Sequence, residues 1–219
     1  VSKRPTFLLL DGSSYLFRAY HALPPLTSPG GEPSGALYGI INMMRKMLKD
    51  YSPDRVLVVF DPKGKTTRHE YYPEYKANRE AMPEELAGQI APIHQMMAAM
   101  GLPIVVVPGI EADDVIGSYA RQAVDAGYRV IISTGDKDMA QLVNDHVGLI
   151  NTMSNTALDA DGVRAKFGVD AAQIIDYLAL IGDKVDHIPG IPKVGPKTAA
   201  KWLTQYQSVD NLVAHAGEI

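Results

Sequence analysis

Four apolar stretches in succession along this chain each end in acidic residues. The stretches are short and almost entirely apolar, which is typical of buried strands. Because the carboxyl ends of parallel strands lie along one edge of a sheet, we expect the acids that follow them to lie close together. These acids are Asp11 in "FLLLD", Asp61 in "VLVVFD", Glu111, Asp113 and Asp114 in "IVVVPGIEADD", and Asp136 and Asp138 in "VIISTGDKD".

Helix-length segments alternate with these stretches and carry apolar residues at three- and four-residue spacing. This alternation predicts an α/β fold with a mostly parallel central sheet flanked by helices. The last third has helices around a Gly/Pro-rich turn and no convincing strand. The predicted strands are Thr6–Leu10, Arg55–Phe60, Ile104–Val107, Arg129–Thr134 and, with a weaker pattern, Gly148–Asn151; the predicted helices are Ala36–Tyr51, Glu84–Met100, Ala112–Ala126, Ala171–Ile181 and Pro196–Tyr206.

Acidic residues that converge in this way repel one another unless protons or cations neutralise them. A single aspartate after a strand is commonly a turn residue or a helix cap, but this interpretation would need four coincidences at one edge. Asp183 and Asp186 add two more acids, three residues apart and so on one face of a helical turn. Nine carboxylates suit a pair of divalent cations with oxygen ligands, Mg²⁺ or Mn²⁺, and the hydrolysis of a phosphodiester.

The charge distribution favours a polyanionic substrate. The chain has 25 acidic and 21 basic side chains and a formal charge of −4. Without the nine converging acids, 16 acidic residues remain against 21 basic ones, so the rest of the protein carries +5. A basic surface around an acidic, metal-binding pocket is what a nuclease requires, since the phosphate backbone supplies most of the affinity for nucleic acid.

The segment 62–83, "PKGKTTRHEYYPEYKANREAMP", has features of a single-strand channel. It lacks clear periodicity and places basic side chains among three tyrosines, which suits contact with phosphates and stacking on bases. A solvated surface loop with incidental tyrosines remains an alternative for this segment.

The segment 190–203, "GIPKVGPKTAAKWL", comes close to a P-loop, but Pro196 interrupts the motif and no strand precedes it. A hairpin between two helices fits better, because its glycines permit tight turns and close approach to a phosphate, and the following helix offers N-terminal amides to an anion. An ordinary helix-turn-helix corner is the alternative. The residues expected at the backbone of duplex DNA are Gly190, Lys193, Gly195, Lys197 and Thr198.

The amino-acid composition excludes several other classes of protein. The chain has no cysteine, which excludes disulfide frameworks and thiolate metal sites. It has no stretch long enough for a membrane span, and the apolar run in "VSKRPTFLLLD" is too short for a signal peptide. We expect a soluble, cytoplasmic protein with no membrane partner. Since the chain lacks an initiator methionine and stops without a closing feature, we also expect a fragment of a longer protein.

Five segments resemble, in order and spacing, the 5′-nuclease domain of bacterial DNA polymerase I, which belongs to the flap-endonuclease superfamily. The resemblance covers nearly the whole chain. It implies a PIN-like nuclease core at 1–165 that includes a helical gateway at 62–83, followed by a helix-hairpin-helix DNA-binding region at 166–219, truncated at its C-terminus. The segments are "LLLDGSSYLFRAYHALPPL", "VVFDPKGKTTRHEYYPEYKANR", "GIEADDVIG", "STGDKDMAQLV" and "GDKVDHIPGIPKVGPKTAAKWL".

The resemblance implies a structure-specific, divalent-metal-dependent 5′-3′ exonuclease and 5′-flap endonuclease that removes 5′ flaps and RNA primers in DNA replication and repair. Its partners would be branched or nicked duplex DNA with a 5′ flap, RNA primers and a covalently fused polymerase. The protein would be a monomer associated with the nucleoid. Its cofactors would be two or more Mg²⁺ or Mn²⁺ ions, with a potassium ion on the carbonyls of the hairpin.

The resemblance also assigns roles to single residues. The first metal cluster would be Asp11, Asp61, Glu111 and Asp113, and the second Asp136, Asp138 and Asp183, with Asp114 and Asp186 as supporting or outer-shell acids. The other catalytic residues would be Lys76 and Arg79, which stabilise charge on the scissile phosphate, Tyr75, which stacks on a base, and Arg18, which contacts phosphate. From spacing alone, Arg18 could equally be a surface helix residue.

Two residues depart from the family pattern. His187 stands where asparagine is usual and is interpreted as a hydrogen-bonding neighbour rather than a metal ligand. Lys193 stands where glycine is frequent and is expected to hinder the tight turn while adding a phosphate contact. Neither removes a primary carboxylate, so the chemistry implied for the chain is unchanged.

Two other functions fit the sequence less well. A phosphatase of the haloacid-dehalogenase type needs a second aspartate where Ser13 stands. A non-catalytic DNA-binding module with structural cations would not need nine acids and a basic loop. Ser13 and Ser14 have no recognisable histidine partner motif, so we interpret them as helix-capping or turn residues rather than nucleophiles.

Overall fold

The computed structural model describes residues 4–151 and 156–218. In this part of the chain, no helix combines the length and the hydropathy that a membrane span needs. The chain divides into two compact units: unit 1 comprises Val1–Thr67, Glu80–Asp136 and Ile150–Thr156, and unit 2 comprises Arg68–Arg79, Lys137–Leu149 and Ala157–Ile219. The predicted domain boundary between residues 165 and 166 stays a prediction.

The sheet has six strands in the order β3-β2-β1-β4-β5-β6. The first four strands along the chain pair in parallel, β1 with β2, β1 with β4, and β2 with β3. Their carboxyl ends therefore lie along one edge, as the sequence predicts. The strands are β1 Thr6–Asp11, β2 Arg55–Phe60, β3 Ile104–Val106, β4 Arg129–Ser133, β5 Val147–Asn151 and β6 Thr156–Leu158.

The helices agree with the predicted periodicity where the amphipathic pattern is long. They are α1 Gly12–Ala22, α2 Gly35–Tyr51, α3 Thr67–Tyr71, α4 Glu84–Ala99, α5 Ala112–Asp125, α6 Ala160–Phe167, α7 Ile174–Ile181, α8 Pro196–Tyr206 and α9 Val209–Ala214. Short 3-10 turns at Asp138–Leu142 and Ala171–Gln173 precede β5 and α7 respectively.

Unit 1 is built around β1, which is central among the parallel strands. Leu8, Leu9 and Leu10 are fully buried, because helices cover both faces of a parallel sheet. The main core cluster joins these strands to α1, α2 and α4, through side chains such as Tyr15, Ile40, Met44 and Ile93. This packing fixes the strand ends from which the acidic residues project.

Unit 2 holds its helices together with a smaller core of its own. Ile174, Tyr177 and Leu180 on α7 are buried, and so are Ala199 and Leu203 on α8. The two helices pack against each other and frame the turn between them.

Several elements were not predicted from the sequence, namely helices α1, α6 and α9 and strand β6. Helix α3 lies in the segment 62–83, which has no clear periodicity but which the resemblance implies to be a helical gateway. No helix lies between Ile181 and Pro196, so Asp183 and Asp186 do not share a helical turn. They lie in a tight loop closed by an antiparallel bridge between Asp183 and Ile188. Elements of three to eight residues, such as β6, α3, α9 and α6, provide too little periodicity to be identified from sequence, and α1 was missed although it has eleven residues.

Candidate functional site

Asp11 is a buried carboxylate at the end of the central strand. Its side chain caps α1 by accepting a hydrogen bond from the Ser14 N–H at 2.8 Å, and it accepts another from the Thr134 hydroxyl at 2.6 Å. Burial raises the pKa of Asp11 to about 6, the negative charges of Asp61 and Asp136 add to this rise, and the two hydrogen bonds oppose it. The structure therefore brings three of the predicted acids of unit 1 within electrostatic reach of one another.

Asp61 follows β2 directly, and hydrogen bonds to a neighbouring hydroxyl and a backbone N–H fix its position. Its N–H donates to the Ser13 hydroxyl at 2.8 Å, and its Oδ1 accepts from the Ala112 N–H at 2.8 Å. The second bond ties the exit of β2 to the first turn of α5. Asp61 itself is exposed, so its carboxylate remains accessible to solvent and ions.

Three predicted acids occupy the start of α5. Glu111 is the buried N-cap residue and accepts a hydrogen bond from the Thr66 hydroxyl at 3.2 Å. Asp113 is half-buried and Asp114 is exposed. Acidic residues are favoured in the first turn of a helix by its dipole, so part of this pattern has a structural cause.

Arg18 lies beside the loop that follows β4. Its Nη1 is 3.3 Å from the side-chain oxygen of Asn151, and a Cβ placed on Gly135 would come within 2.1 Å of its Nη2. The N–H of Gly135 also donates to the Ser14 hydroxyl at 3.1 Å. Arg18 therefore lies against Gly135, and the absence of a side chain at Gly135 makes room for it.

The carboxylate oxygens described in unit 1 are suitable ligands for a divalent cation, but their positions do not form a complete coordination site. Within residues 4–151 and 156–218, no three acidic or histidine side chains are already grouped so that they could hold a metal ion. However, burial raises the pKa of Asp11, and repulsion by the charges of Asp61 and Asp136 adds to this rise. A hard cation with oxygen ligands is the group that would relieve this repulsion.

In unit 2, Asp183 is paired with a lysine. Its Oδ2 is 2.6 Å from the Lys137 Nζ, and its Oδ1 accepts from the Val185 N–H at 2.7 Å and the Asp186 N–H at 3.2 Å. Burial raises the pKa of Asp183, but the hydrogen bonds and the charge of Lys137 outweigh burial and lower the pKa overall. Asp138, also in unit 2, is half-buried at the start of a 3-10 turn. The prediction that all nine acids share one pocket stays a prediction.

Asp186 is bound to the predicted gateway residues. Its Oδ1 accepts from the Arg79 guanidinium at 2.6 Å, its Oδ2 accepts from the Tyr75 hydroxyl at 3.1 Å, and the Lys76 Nζ lies 3.9 Å from Oδ2. The Lys76 ammonium also lies 4.7 Å from the centre of the Tyr75 ring. Tyr75 is only 6% exposed, so stacking on a base, as predicted, would require this ring to move. Tyr71 is the exposed tyrosine of the segment, at 88%.

His187 makes the kind of contact that was predicted for it. Its Nδ1 lies 3.0 Å from the carbonyl oxygen of Glu74, at hydrogen-bonding distance. Its φ is +60°, in the left-handed region. This contact therefore links the loop 183–188 to the segment 72–79.

The turn between α7 and α8 depends on two glycines that touch. A Cβ on Gly182 would lie 2.3 Å from the Gly190 nitrogen, and a Cβ on Gly190 would lie 2.3 Å from the Ile181 carbonyl carbon. Lys193 takes up the left-handed conformation, with φ +67°, so it does not prevent the turn. Gly195 has φ −114° and open space at its Cβ position, so the prediction that it is needed for a tight turn was wrong.

The DNA-binding candidates of this turn are accessible. Lys193 and Lys197 are exposed, and Thr198 is half-buried in the first turn of α8. Pro196 is the first residue of that helix, as predicted. The free N–H groups of a helix start point towards an incoming anion.

Sequence reasoning missed the residues that position the acids. Ser13 and Ser14 are not caps, since Asp11 caps α1; instead their hydroxyls accept from the N–H groups of Asp61 and Gly135. Thr134 was assigned to a strand and its contact with Asp11 was not predicted. The available signal was the run of small hydroxyl residues directly beside strand-end acids.

Two family models match the chain. Residues 6–168 match the 5′-3′ exonuclease N-terminal resolvase-like domain, and residues 169–219 match the 5′-3′ exonuclease C-terminal SAM fold. Together they account for nearly all of the described residues.

Curated relatives agree with these models. DNA polymerase I of Pseudomonas aeruginosa is 56% identical over 197 residues, which cover 90% of this chain and 22% of that protein. The 5′-3′ exonuclease of Buchnera aphidicola subsp. Baizongia pistaciae is 44% identical over 210 residues, covering 96% of this chain and 70% of that protein. The chain thus spans about a fifth of the polymerase and most of the shorter exonuclease.

A solved structure has the same fold. The complex of bacteriophage T5 flap endonuclease with DNA and metal ions superimposes with a TM-score of 0.79 at 22% identity, covering 95% of this chain and 78% of that chain. The predicted fold class, a mostly parallel sheet flanked by helices with a helical C-terminal region, is confirmed.

Proposed function

This chain belongs to the 5′-3′ exonuclease family, and from that premise we propose that it hydrolyses phosphodiester bonds at the 5′ ends of branched or nicked duplex DNA and of RNA primers. The reaction class is a divalent-metal-dependent 5′-3′ exonuclease and 5′-flap endonuclease. The relatives named DNA polymerase I carry the matching region within a longer chain. We propose the same setting, the N-terminal part of a DNA polymerase I, for this one.

The buried carboxylate of Asp11 is the observation that carries the proposal. A chain that only needed a helix cap could use serine or asparagine at this position. Instead it keeps an acid whose pKa is raised to about 6 by burial and by Asp61 and Asp136. Such a group is tolerated because a cation compensates it in the working protein.

Asp11, Asp61, Asp136 and the acids at the start of α5 would hold Mg²⁺ or Mn²⁺. When bound, such an ion supplies positive charge to a phosphate oxygen and lowers the pKa of a water molecule. Ser13 and Thr134 hold Asp61 and Asp11 by their hydrogen bonds, and the Ser14 hydroxyl holds Gly135 beside them.

The basic residues would act on the phosphate directly. Lys76 and Arg79 would supply positive charge to the scissile phosphate, and Arg18 would bind a neighbouring one. The turn between α7 and α8 would hold the backbone of the duplex through Lys193, Lys197 and the amides of α8. A potassium ion on the carbonyls of that turn is part of the same proposal.

Cleavage of a 5′-labelled flap duplex tests the proposed function. We expect cutting with Mg²⁺, none with EDTA, and a rate lowered by about 10- to 100-fold or more in Asp113→Asn, since one carboxylate donor is lost. Asp125→Asn, at the exposed end of α5, is the matched control and should cut like the wild type. Cutting in EDTA, or an unchanged rate in Asp113→Asn, would reject the proposal.

A further inference from the structure

In unit 2, the segment 72–79 and the loop 183–188 are joined by side-chain bonds to one carboxylate. Asp186 accepts from the Arg79 guanidinium at 2.6 Å and from the Tyr75 hydroxyl at 3.1 Å, and the Lys76 ammonium is 3.9 Å away. More than a hundred residues of sequence separate the two sides. Both cations proposed to act on the scissile phosphate therefore meet at a single acid.

Backbone groups reinforce this junction. The N–H of Lys76 donates to the carbonyl of Asp186 at 3.0 Å, and the Asn78 side-chain amide donates to the carbonyl of Lys184 at 3.0 Å. The Tyr72 hydroxyl donates to the carbonyl of His187 at 3.3 Å. The junction therefore fixes the path of the segment as well as its side chains.

The junction also holds strained backbone. Lys76 has φ +55° and His187 has φ +60°, a region that side-chain-bearing residues rarely adopt. Such conformations persist when surrounding contacts determine them, and they are concentrated at functional sites. The Asp186 and Lys76 side chains are 19% and 17% exposed, so their charges are screened by water less than a surface pair would be.

We propose that Asp186 is a positioning residue, which orients the side chains of Lys76 and Arg79 before a phosphate binds to them. This inference rests on the proposed function for the role of the two cations, but not for the junction itself. When a phosphate enters, it replaces Asp186 as the anionic partner of Arg79. The Arg79 guanidinium is therefore already oriented towards an anion and does not need to move far. Asp186 thus acts on the reaction through Lys76 and Arg79, whether or not it also contacts a metal ion.

Hydrogen exchange in EDTA, without DNA, tests the junction directly. In Asp186→Ala we expect amide exchange across the segment 72–79 to accelerate by at least about tenfold, because local opening becomes easier. Asp186→Asn keeps an acceptor for Tyr75 and Arg79 and should retain part of the protection. Asp145→Ala, at an exposed turn of the same unit, is the matched control and should exchange like the wild type. Unchanged exchange in both Asp186 variants would overturn the proposal; if the alanine variant does not fold, the asparagine variant decides alone.

Kinetics separate positioning from metal binding. Asp186→Ala should lower kcat for flap cleavage with little change in KM, and Arg79→Ala should add little further loss to it, since the two residues act together. Additive losses in the double variant, with wild-type exchange, would assign Asp186 to the metal alone. A wild-type chain that fails to cut would contradict the proposed function, whereas the exchange result judges the junction independently.

Discussion

The hydroxyl of Thr134 donates a hydrogen bond of 2.6 Å to Oδ2 of Asp11, and this bond joins the carboxyl ends of β4 and β1. The strand register makes it possible, because Leu10 pairs with Ser133 and the following residues are therefore neighbours. This bond holds a buried acid in place, and its pKa is raised by burial and, to a smaller extent, by two other acids. Its ionisation at neutral pH works against folding and in favour of cation binding.

Asp11→Asn should stabilise the metal-free protein in a pH-dependent way. The native pKa is raised from 3.8 to about 6, so the stability that the protonated acid provides is present below pH 3.8 and is lost as pH rises through 6. At pH 8 the variant should be more stable by up to about 3 kcal/mol, with the difference shrinking towards pH 4. Urea unfolding of both proteins in EDTA at several pH values measures this.

In the presence of Mg²⁺, the wild type should become more stable than Asp11→Asn. The wild type gains stability from a bound cation, whereas Asp11→Asn has lost one donor. A stability difference between them that does not vary with pH in EDTA would contradict the account of Asp11.

Gly135→Ala should impair cleavage without unfolding the protein. The new Cβ would come within 2.1 Å of the Arg18 Nη2, which is the end of a flexible side chain, so Arg18 moves and the backbone stays. Flap-cleavage rates and thermal unfolding check both parts. Gly88→Ala is the control, since Gly88 lies exposed in α4 with open space at its Cβ position and should gain about 1 kcal/mol from helix propensity. If Gly135→Ala cleaves at the wild-type rate, the proposed role of Arg18 in phosphate binding is contradicted.

Gly190→Ala and Gly195→Ala should separate structure from DNA contact. The Gly190 Cβ would meet the backbone of Ile181 at 2.3 Å, so this variant should lose several kcal/mol, on the order of 3, in urea unfolding. Gly195 has open space, so its variant should unfold like the wild type within about 0.5 kcal/mol. A weaker affinity of Gly195→Ala for duplex DNA would indicate close approach of the phosphate backbone. Equal stabilities of the two variants would contradict the description of the turn.

The strand-end acids were predictable because they depend on strong patterns. Long apolar runs identify buried strands, and parallel topology places their carboxyl ends together whatever the details of packing. This reasoning located Asp11, Asp61 and Asp136, which do interact. It could not give the direction of each side chain, which follows from contacts such as the one between Thr134 and Asp11.

Contacts between distant segments were beyond sequence reasoning. The bond between Arg79 and Asp186 joins residues that no local pattern relates, so Asp186 was interpreted only as a supporting acid. The loop around Asp183 was predicted as a helical turn because three-residue spacing suits a helix, but the antiparallel bridge to Ile188 determines its shape instead. Ser13 and Ser14 were interpreted as helix-capping or turn residues because serine is common at helix starts and in turns.

Counting bound Mn²⁺ by electron paramagnetic resonance tests the central claim most directly, namely that the acids at the carboxyl edge of β1, β2 and β4 hold a divalent cation. We expect the wild-type chain to bind Mn²⁺, Asp11→Asn and Asp136→Asn to bind fewer ions or bind them more weakly, and Asp125→Asn to match the wild type. A wild-type chain that binds no Mn²⁺, or variants at Asp11 and Asp136 that bind it equally well, would contradict the claim.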